Sequence, residues 1–194
     1  MSPFPTQIDE TAFLLLYVIW ILLHPLERIV IWRSAQDKTK VQSDRGSFLL
    51  IFASIFLSIT IVFTFAHAGV MILPAWVFYV GLTLMGLGII VREWAVVTLR
   101  KFFSYTVRIR EKQSLVQNGP YKFVRHPAYS GTMLTVIGLA IALRSLAGVL
   151  VLLTFCSVAY TYRIIVEEKL LREQLGQAYV EYMKSTKRLI PFLL

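Results

Sequence analysis

Between Arg45 and Arg92 the chain holds no Asp, Glu, Lys or Arg. A crossing of the hydrocarbon layer takes roughly 20 mostly apolar residues, so this one gap has room for two crossings. The pattern returns from His126 to Leu143 and from Ser145 to Tyr162, on either side of Arg144. Of the 194 residues, 57% are apolar and 16% charged, and the mean hydropathy is +0.66. A soluble domain of this size carries charge on about a quarter of its residues. The chain therefore reads as an all-α integral membrane protein, one membrane domain over residues 1–194.

Five spans are expected, at about Thr11 to Ile31, Phe48 to Ala66, Ala75 to Val97, Pro127 to Leu143 and Leu146 to Val166. His24-Pro25 with Glu27 and Arg28 interrupts the second half of span 1, where the two charges are expected near the headgroups. Trp20 and Trp32 are candidate interface anchors. Gly81, Gly86 and Gly88 in span 3 permit close helix approach, while Arg92 and Glu93 at its end are expected to snorkel to the surface. Only Arg144 and Ser145 separate spans 4 and 5, which implies a tight helical hairpin. The tail from Glu167 starts as a helix, stops near Gly176 and resumes through AYVEYMKSTKR.

Basic residues set the orientation. The linker after span 1, the segment 98–125 and the tail are charged and basic in sum, whereas the 67–74 break carries no formal charge. All three basic segments fall on one side of a five-span chain. The positive-inside rule makes that side cytoplasmic, with an external N-terminus and a cytoplasmic C-terminus. The formal charge of +9 is thereby explained by anionic lipid headgroups rather than nucleic acid. Cys156 is the single cysteine, so neither a disulfide framework nor a cysteine metal site is expected. The acidic N-terminus MSPFPTQIDE argues against a cleaved signal peptide.

External loops this short cannot build a pocket, so a soluble ligand is expected to meet the protein on the cytoplasmic side. Two stretches there carry chemistry: NGPYKFVRHPAYSG, residues 118–131, and TYRIIVEEKLLREQ, residues 161–174. Arg163 ends an uncharged run and lies four positions before Glu167, a spacing that lets the two pair on one helix face. Glu168 points about 100° away, toward a different partner. Ionisable groups at membrane depth are costly and point to function. His126 before Pro127 also suits an interfacial helix start, Tyr121 and Tyr129 suit an aromatic belt, and Gly119 suits a turn. These residues define a polar cytoplasmic pocket without naming a reaction.

The combination of GPY and RHP-x-Y-x-G, then EE-x-x-L and G-x-x-Y-x-x-Y, resembles the isoprenylcysteine carboxyl methyltransferase family and the related membrane phospholipid N-methyltransferases. The resemblance runs from about Arg92 to the end. It implies an S-adenosylmethionine-dependent methyltransferase without a G-x-G-x-x-G signature, acting on a lipid or prenylated substrate that approaches from within the bilayer. It implies a cofactor-binding and catalytic part at 98–194. Gln113, Val116, Gly119, Tyr121, His126, Tyr129 and Glu167 would form the cofactor region, and Arg163 would hold a substrate carboxylate. No metal is implied.

Methyl transfer from a sulfonium is an in-line displacement that needs chiefly positioning and dryness. A carboxylate nucleophile is already ionised and needs a cation to hold it. An amine must first lose a proton, for which Glu168 or His126 is the candidate base. A phospholipid or amine N-methyltransferase is thus the second reading. A membrane scaffold or transporter subunit is the third, although the inverted repeats of transporters are not visible. The N-terminal half matches no family motif and is expected to shape the lipid portal.

Overall fold

The structure is a computed structural model and describes residues 2–34, 39–40, 46–99, 103, 109–110 and 115–190. Among these, six α-helices follow one another: α1 (Gln7–Ser34), α2 (Ser47–His67), α3 (Val77–Leu99), α4 (Pro127–Ala142), α5 (Leu146–Leu175) and α6 (Gln177–Ser185). A 3-10 turn at Gly119–Lys122 precedes α4. Two short strands, β1 (Thr39–Lys40) and β2 (Ile109–Arg110), pair antiparallel. Four helices are long and apolar enough to cross a membrane: Gln7–Pro25 within α1, then α2, α3 and α5. This is a multi-pass membrane architecture.

The helix α4, expected as a span, is 16 residues long, about 24 Å at 1.5 Å per residue, against a hydrocarbon core of about 30 Å. It stops because Arg144 turns left-handed, with φ 60, and donates from Nε to the Leu73 carbonyl at 2.9 Å. Conversely, α1 runs unbroken through Pro25 to Ser34, although proline removes one rung of the helical ladder.

The core is the contact of α3 with α4, and glycine makes it possible. A Cβ on Gly81 would stand 2.2 Å from Ala142 N, and one on Gly88 2.4 Å from Thr135 N. From the other side, a Cβ on Gly131 would stand 2.5 Å from Arg92 N, and one on Gly138 2.3 Å from Met85 N. Each helix carries two glycines seven residues apart, so their backbones touch over two turns, as small residues allow in lipid. Gly86 meets nothing within 4 Å and takes no part. Around this contact Phe78, Met85, Val136, Leu139 and Leu152 are fully buried. Trp20, expected at the interface, joins this core.

The tail folds back over the start of α4. Val124 bridges Lys187 in parallel. The Arg125 amide donates to the Lys187 carbonyl at 2.7 Å, and the His126 amide to that of Arg188 at 3.0 Å. Ser130 Oγ donates to the Leu189 carbonyl at 2.6 Å. Residues 186–190 therefore lie against the N-terminal end of α4, and α6 closes from the same side through the Tyr182 hydroxyl, which donates to the Tyr121 carbonyl at 2.6 Å.

Candidate active site

Arg163 on α5 is buried. Its Nε donates to the Tyr129 hydroxyl at 3.0 Å and its Nη1 to Ser47 Oγ at 2.8 Å. Tyr129, one turn into α4, donates its own proton to Glu167 Oε2 at 2.5 Å. The spacing of four thus brings Arg163 and Glu167 to 3.9 Å, with a phenol as the third member. Glu167 keeps 27% of its side chain exposed and so can meet a ligand.

Glu168 turns the other way and is completely buried. It accepts from Arg125 Nε at 2.9 Å and from Arg188 Nε at 3.3 Å. Arg125 also reaches the carbonyls of Met183 and Thr186. This carboxylate ties the start of α4 and the tail to α5.

His126 is buried between the two glutamates, with Nδ1 4.0 Å from Glu167 Oε2 and Nε2 3.5 Å from Glu168 Oε1. Its ring stacks on Tyr129 at 5.4 Å. His126 Nε2 makes no hydrogen bond at that separation, and the hydroxyls of Tyr121 and Tyr179 and Gln174 Nε2 are likewise buried without a hydrogen bond. Burial, and then the charge of Glu167, push the Tyr121 phenol well above its ordinary pKa of 10, so it is a neutral donor at working pH. Unpaired buried polar atoms are rare and costly. The Tyr121 and Tyr179 hydroxyls, which feel the charge of Glu167, suit a polar ligand beside His126.

Val116 packs with Tyr121, Ala95, Phe103 and Ala128 in a small apolar cluster beside this chamber. Gly119 is left-handed, with φ +58, and faces Trp94 and Thr98 of α3. It fixes the 3-10 turn that carries Tyr121. Gln113 lies outside the described residues.

On the other side of Tyr129 opens a cavity of about 620 Å³. Tyr17, Trp20, Ile21, His24 and Pro25 line it from one face of α1, and Phe48, Ile51, Phe52, Ile55, Phe56 and Ile59 from one face of α2. Its head is formed by Arg92, Phe103, Tyr129, Thr132, Tyr160 and Arg163. Among the described residues, two arginines line it and no acid does.

Arg92 was expected to snorkel; instead it is buried. Its Nε and Nη2 grip Glu27 of α1 at 3.1 and 2.9 Å, and its Nη1 donates to Thr132 Oγ1 at 2.7 Å. Glu27, expected at the headgroups, is therefore buried as well. Tyr160 stands with Thr132 at the head of the cavity. Sequence reasoning missed Glu27, Ser47, Arg92, Thr132 and Tyr160 as site residues. Only the charge of Arg92 and Glu27 at the edge of apolar runs signalled them, and interface anchors carry the same mark.

A family model described as phospholipid methyltransferase matches residues 76–178. The chain belongs to that family. Its matched region holds Arg92, the 3-10 turn, α4, the whole of α5 and the first two residues of α6. The curated relatives it resembles include isoprenylcysteine O-methyltransferases. A probable protein-S-isoprenylcysteine O-methyltransferase of Oryza sativa subsp. indica is 34% identical over 121 residues, 59% of this chain and 61% of that protein. Protein-S-isoprenylcysteine O-methyltransferase B of Arabidopsis thaliana is 32% identical over 120 residues, 61% of each chain. The match thus spans less than two thirds of these relatives. A solved structure, the eukaryotic intramembrane Ras methyltransferase ICMT, superposes with a TM-score of 0.55 and 25% identity, covering 78% of this chain and 55% of that one.

Proposed function

We propose that this protein is an S-adenosylmethionine-dependent methyltransferase that esterifies the carboxylate of an isoprenylcysteine-like lipid at the cytoplasmic side of the membrane. The observation that carries this reading is the cavity: an apolar slot headed, among the described residues, by two arginines and no acid, joined through Tyr129 to Glu167 and a chamber of buried polar groups. From Pro25 to Tyr17 the slot runs about 12 Å, and from Phe48 to Ile59 about 16 Å, at 1.5 Å per residue. That length suits an isoprenoid tail. A tail leaving the bilayer for an apolar slot gains little, since lipid is as apolar as leucine. Selection then rests on the head, where Arg163 and Arg92 receive the carboxylate.

The donor chamber fits S-adenosylmethionine by the chemistry of its groups. Glu167 suits the cationic amino group, and His126 Nε2 and the Tyr121 hydroxyl suit its acceptors, with Val116 and Gly119 along the wall. When bound, S-adenosylmethionine supplies an electrophilic methyl on a sulfonium. Tyr129 holds Arg163 and Glu167 at a fixed distance, so substrate head and donor share one boundary. Arg163 orients the nucleophile. Residues 186–190 and α6 exclude water, and Glu168 anchors them. The site draws on Ser47 and Arg92 as well as on residues 98–194.

In the same reading, α4 is a fifth crossing beside the four long helices, the N-terminus is external and the tail cytoplasmic. Exposed Lys122, Lys184 and Lys187 then face anionic headgroups. The family's phospholipid members keep an amine substrate as the second reading. The geometry favours it less, because a base is needed and Glu168 is held by two arginines.

Calorimetry on purified protein in detergent tests the donor. S-adenosylmethionine is expected to bind, and its failure to bind ends the methyltransferase reading. Labelled donor supplied with an isoprenylcysteine should give a base-labile methyl ester. A base-stable product from an ethanolamine lipid would favour the amine. Arg163→Ala is expected to cut carboxylate turnover by about two orders of magnitude while donor affinity changes little. Equal loss of both would make Arg163 a donor-site or structural residue.

A further inference from the structure

Glu27 belongs to the part of the chain that the family model does not reach, yet its carboxylate is bound on two nitrogens of Arg92. The pair is almost fully buried, with side chains 7% and 3% exposed. Arg92 lines the head of the cavity, and Glu27 stands behind it, outside the lining. The protein's own carboxylate thus occupies a guanidinium that faces the substrate's space.

Stability alone does not account for the pair. A buried ion pair is a weak stabiliser, because desolvation offsets most of the Coulomb gain. Moreover, α1 is already docked at its other end, where Phe4 packs against Phe13 and Phe78 and Tyr79 donates to Asp9 at 3.4 Å. Pro25 lies between that docked stretch and Glu27. It has no N–H for the Ile21 carbonyl, so the ladder is open where the last turns of α1 would have to bend.

We propose that Glu27 is a specificity-determining residue, a resident carboxylate that the lipid's carboxylate displaces from Arg92 and that returns once the lipid has become a neutral methyl ester. The inference rests on the carboxylate-methylating function proposed above. The exchange is one anion for another, so the guanidinium is never left buried without a counter-charge. Neutral lipids cannot drive it, since an ester oxygen lacks the charge that makes a guanidinium–carboxylate pair strong. The tail contributes little discrimination in a bilayer. Acid is therefore admitted, and ester is released when Glu27 closes on Arg92 again.

The test uses the full chain in detergent, with N-acetyl-S-farnesylcysteine as the acid and its methyl ester as the product. Glu27→Gln removes the competing charge and should lower KM for the acid by about fivefold or more, while ester affinity moves less than about twofold. A merely structural residue predicts the opposite sign: weaker acid binding together with a lower Tm. An unchanged or raised KM in a folded variant that still binds S-adenosylmethionine overturns the proposal and leaves the methyltransferase reading standing. Should the natural chain itself fail to methylate the acid, both fall. If Glu27→Gln does not fold, spin labels at Ser34→Cys on α1 and Val97→Cys on α3 give the answer with Glu27 in place, because Cys156 is buried. Acid should lengthen the distance between the labels and ester should not. No shift with acid overturns the exchange.

Discussion

Glu168→Gln will destabilise the protein by about 3 kcal/mol, whereas Glu167→Gln, one residue earlier, will leave it folded and deprive it of its donor. Glu168 is wholly buried and receives Arg125, itself 7% exposed. Removing one partner of such a pair leaves the other as an uncompensated buried charge, at roughly 3–5 kcal/mol. The low end applies because an amide oxygen can keep one bond from Arg125. Arg188 adds little, since its side chain is half exposed and solvent screens it. The loss will first loosen residues 186–190, whose contacts with 124–130 depend on Arg125. Glu167 faces the opposite situation. It is partly exposed and touches Tyr129 and Arg163, both of which keep other partners without it. Thermal unfolding in detergent and donor calorimetry on the two variants separate these outcomes. A Glu168→Gln protein with unchanged Tm would remove the anchoring role.

Gly138→Val will abolish the folded protein, while Gly86→Ala will be tolerated. A Cβ at Gly138 would lie 2.3 Å from Met85 N and 2.7 Å from the Gly81 carbonyl. Both are backbone atoms that no rotamer change can move. Overpacking typically costs about 1–3 kcal/mol where side chains can adjust, and here the only relief is separation of α3 from α4. That separation pulls Arg92 off Thr132 and breaks the head of the cavity. Gly86 has nothing within 4 Å, so alanine there gains about 1 kcal/mol of helix propensity. Gel filtration in detergent and Tm read both variants. A monodisperse Gly138→Val protein with donor affinity intact would show that the α3–α4 contact can open without harm.

These two experiments also mark where the sequence was legible. Gly81, Gly86 and Gly88 look alike as glycines on one apolar run, and nothing in the run says that two meet α4 and one does not. Likewise the adjacent glutamates differ in direction by a helix's 100° per residue, which is readable. What stands in each direction is not. The 3.6-residue period also gave Arg163 its place four positions before Glu167, and the structure brings both to Tyr129. The sequence places Glu27 and Arg92 at the interface instead, because a charge at the end of a span looks the same whether it seeks water or a buried partner.

The sequence by itself determined the membrane class, the apolar helices, the polar stretch before α4 and the ionisable stretch late in α5. Each is a local property, written in runs without charge, in helical spacing or in a contiguous motif. Only the tertiary structure decided that Glu27 meets Arg92 across 65 positions and that Ser47 meets Arg163 across 116. It also decided that α1 and α2 wall a slot headed by two cations. Those pairings follow from the close approach of helix backbones and the cost of burying charge unpaired, and both depend on what each side chain finds opposite it in space.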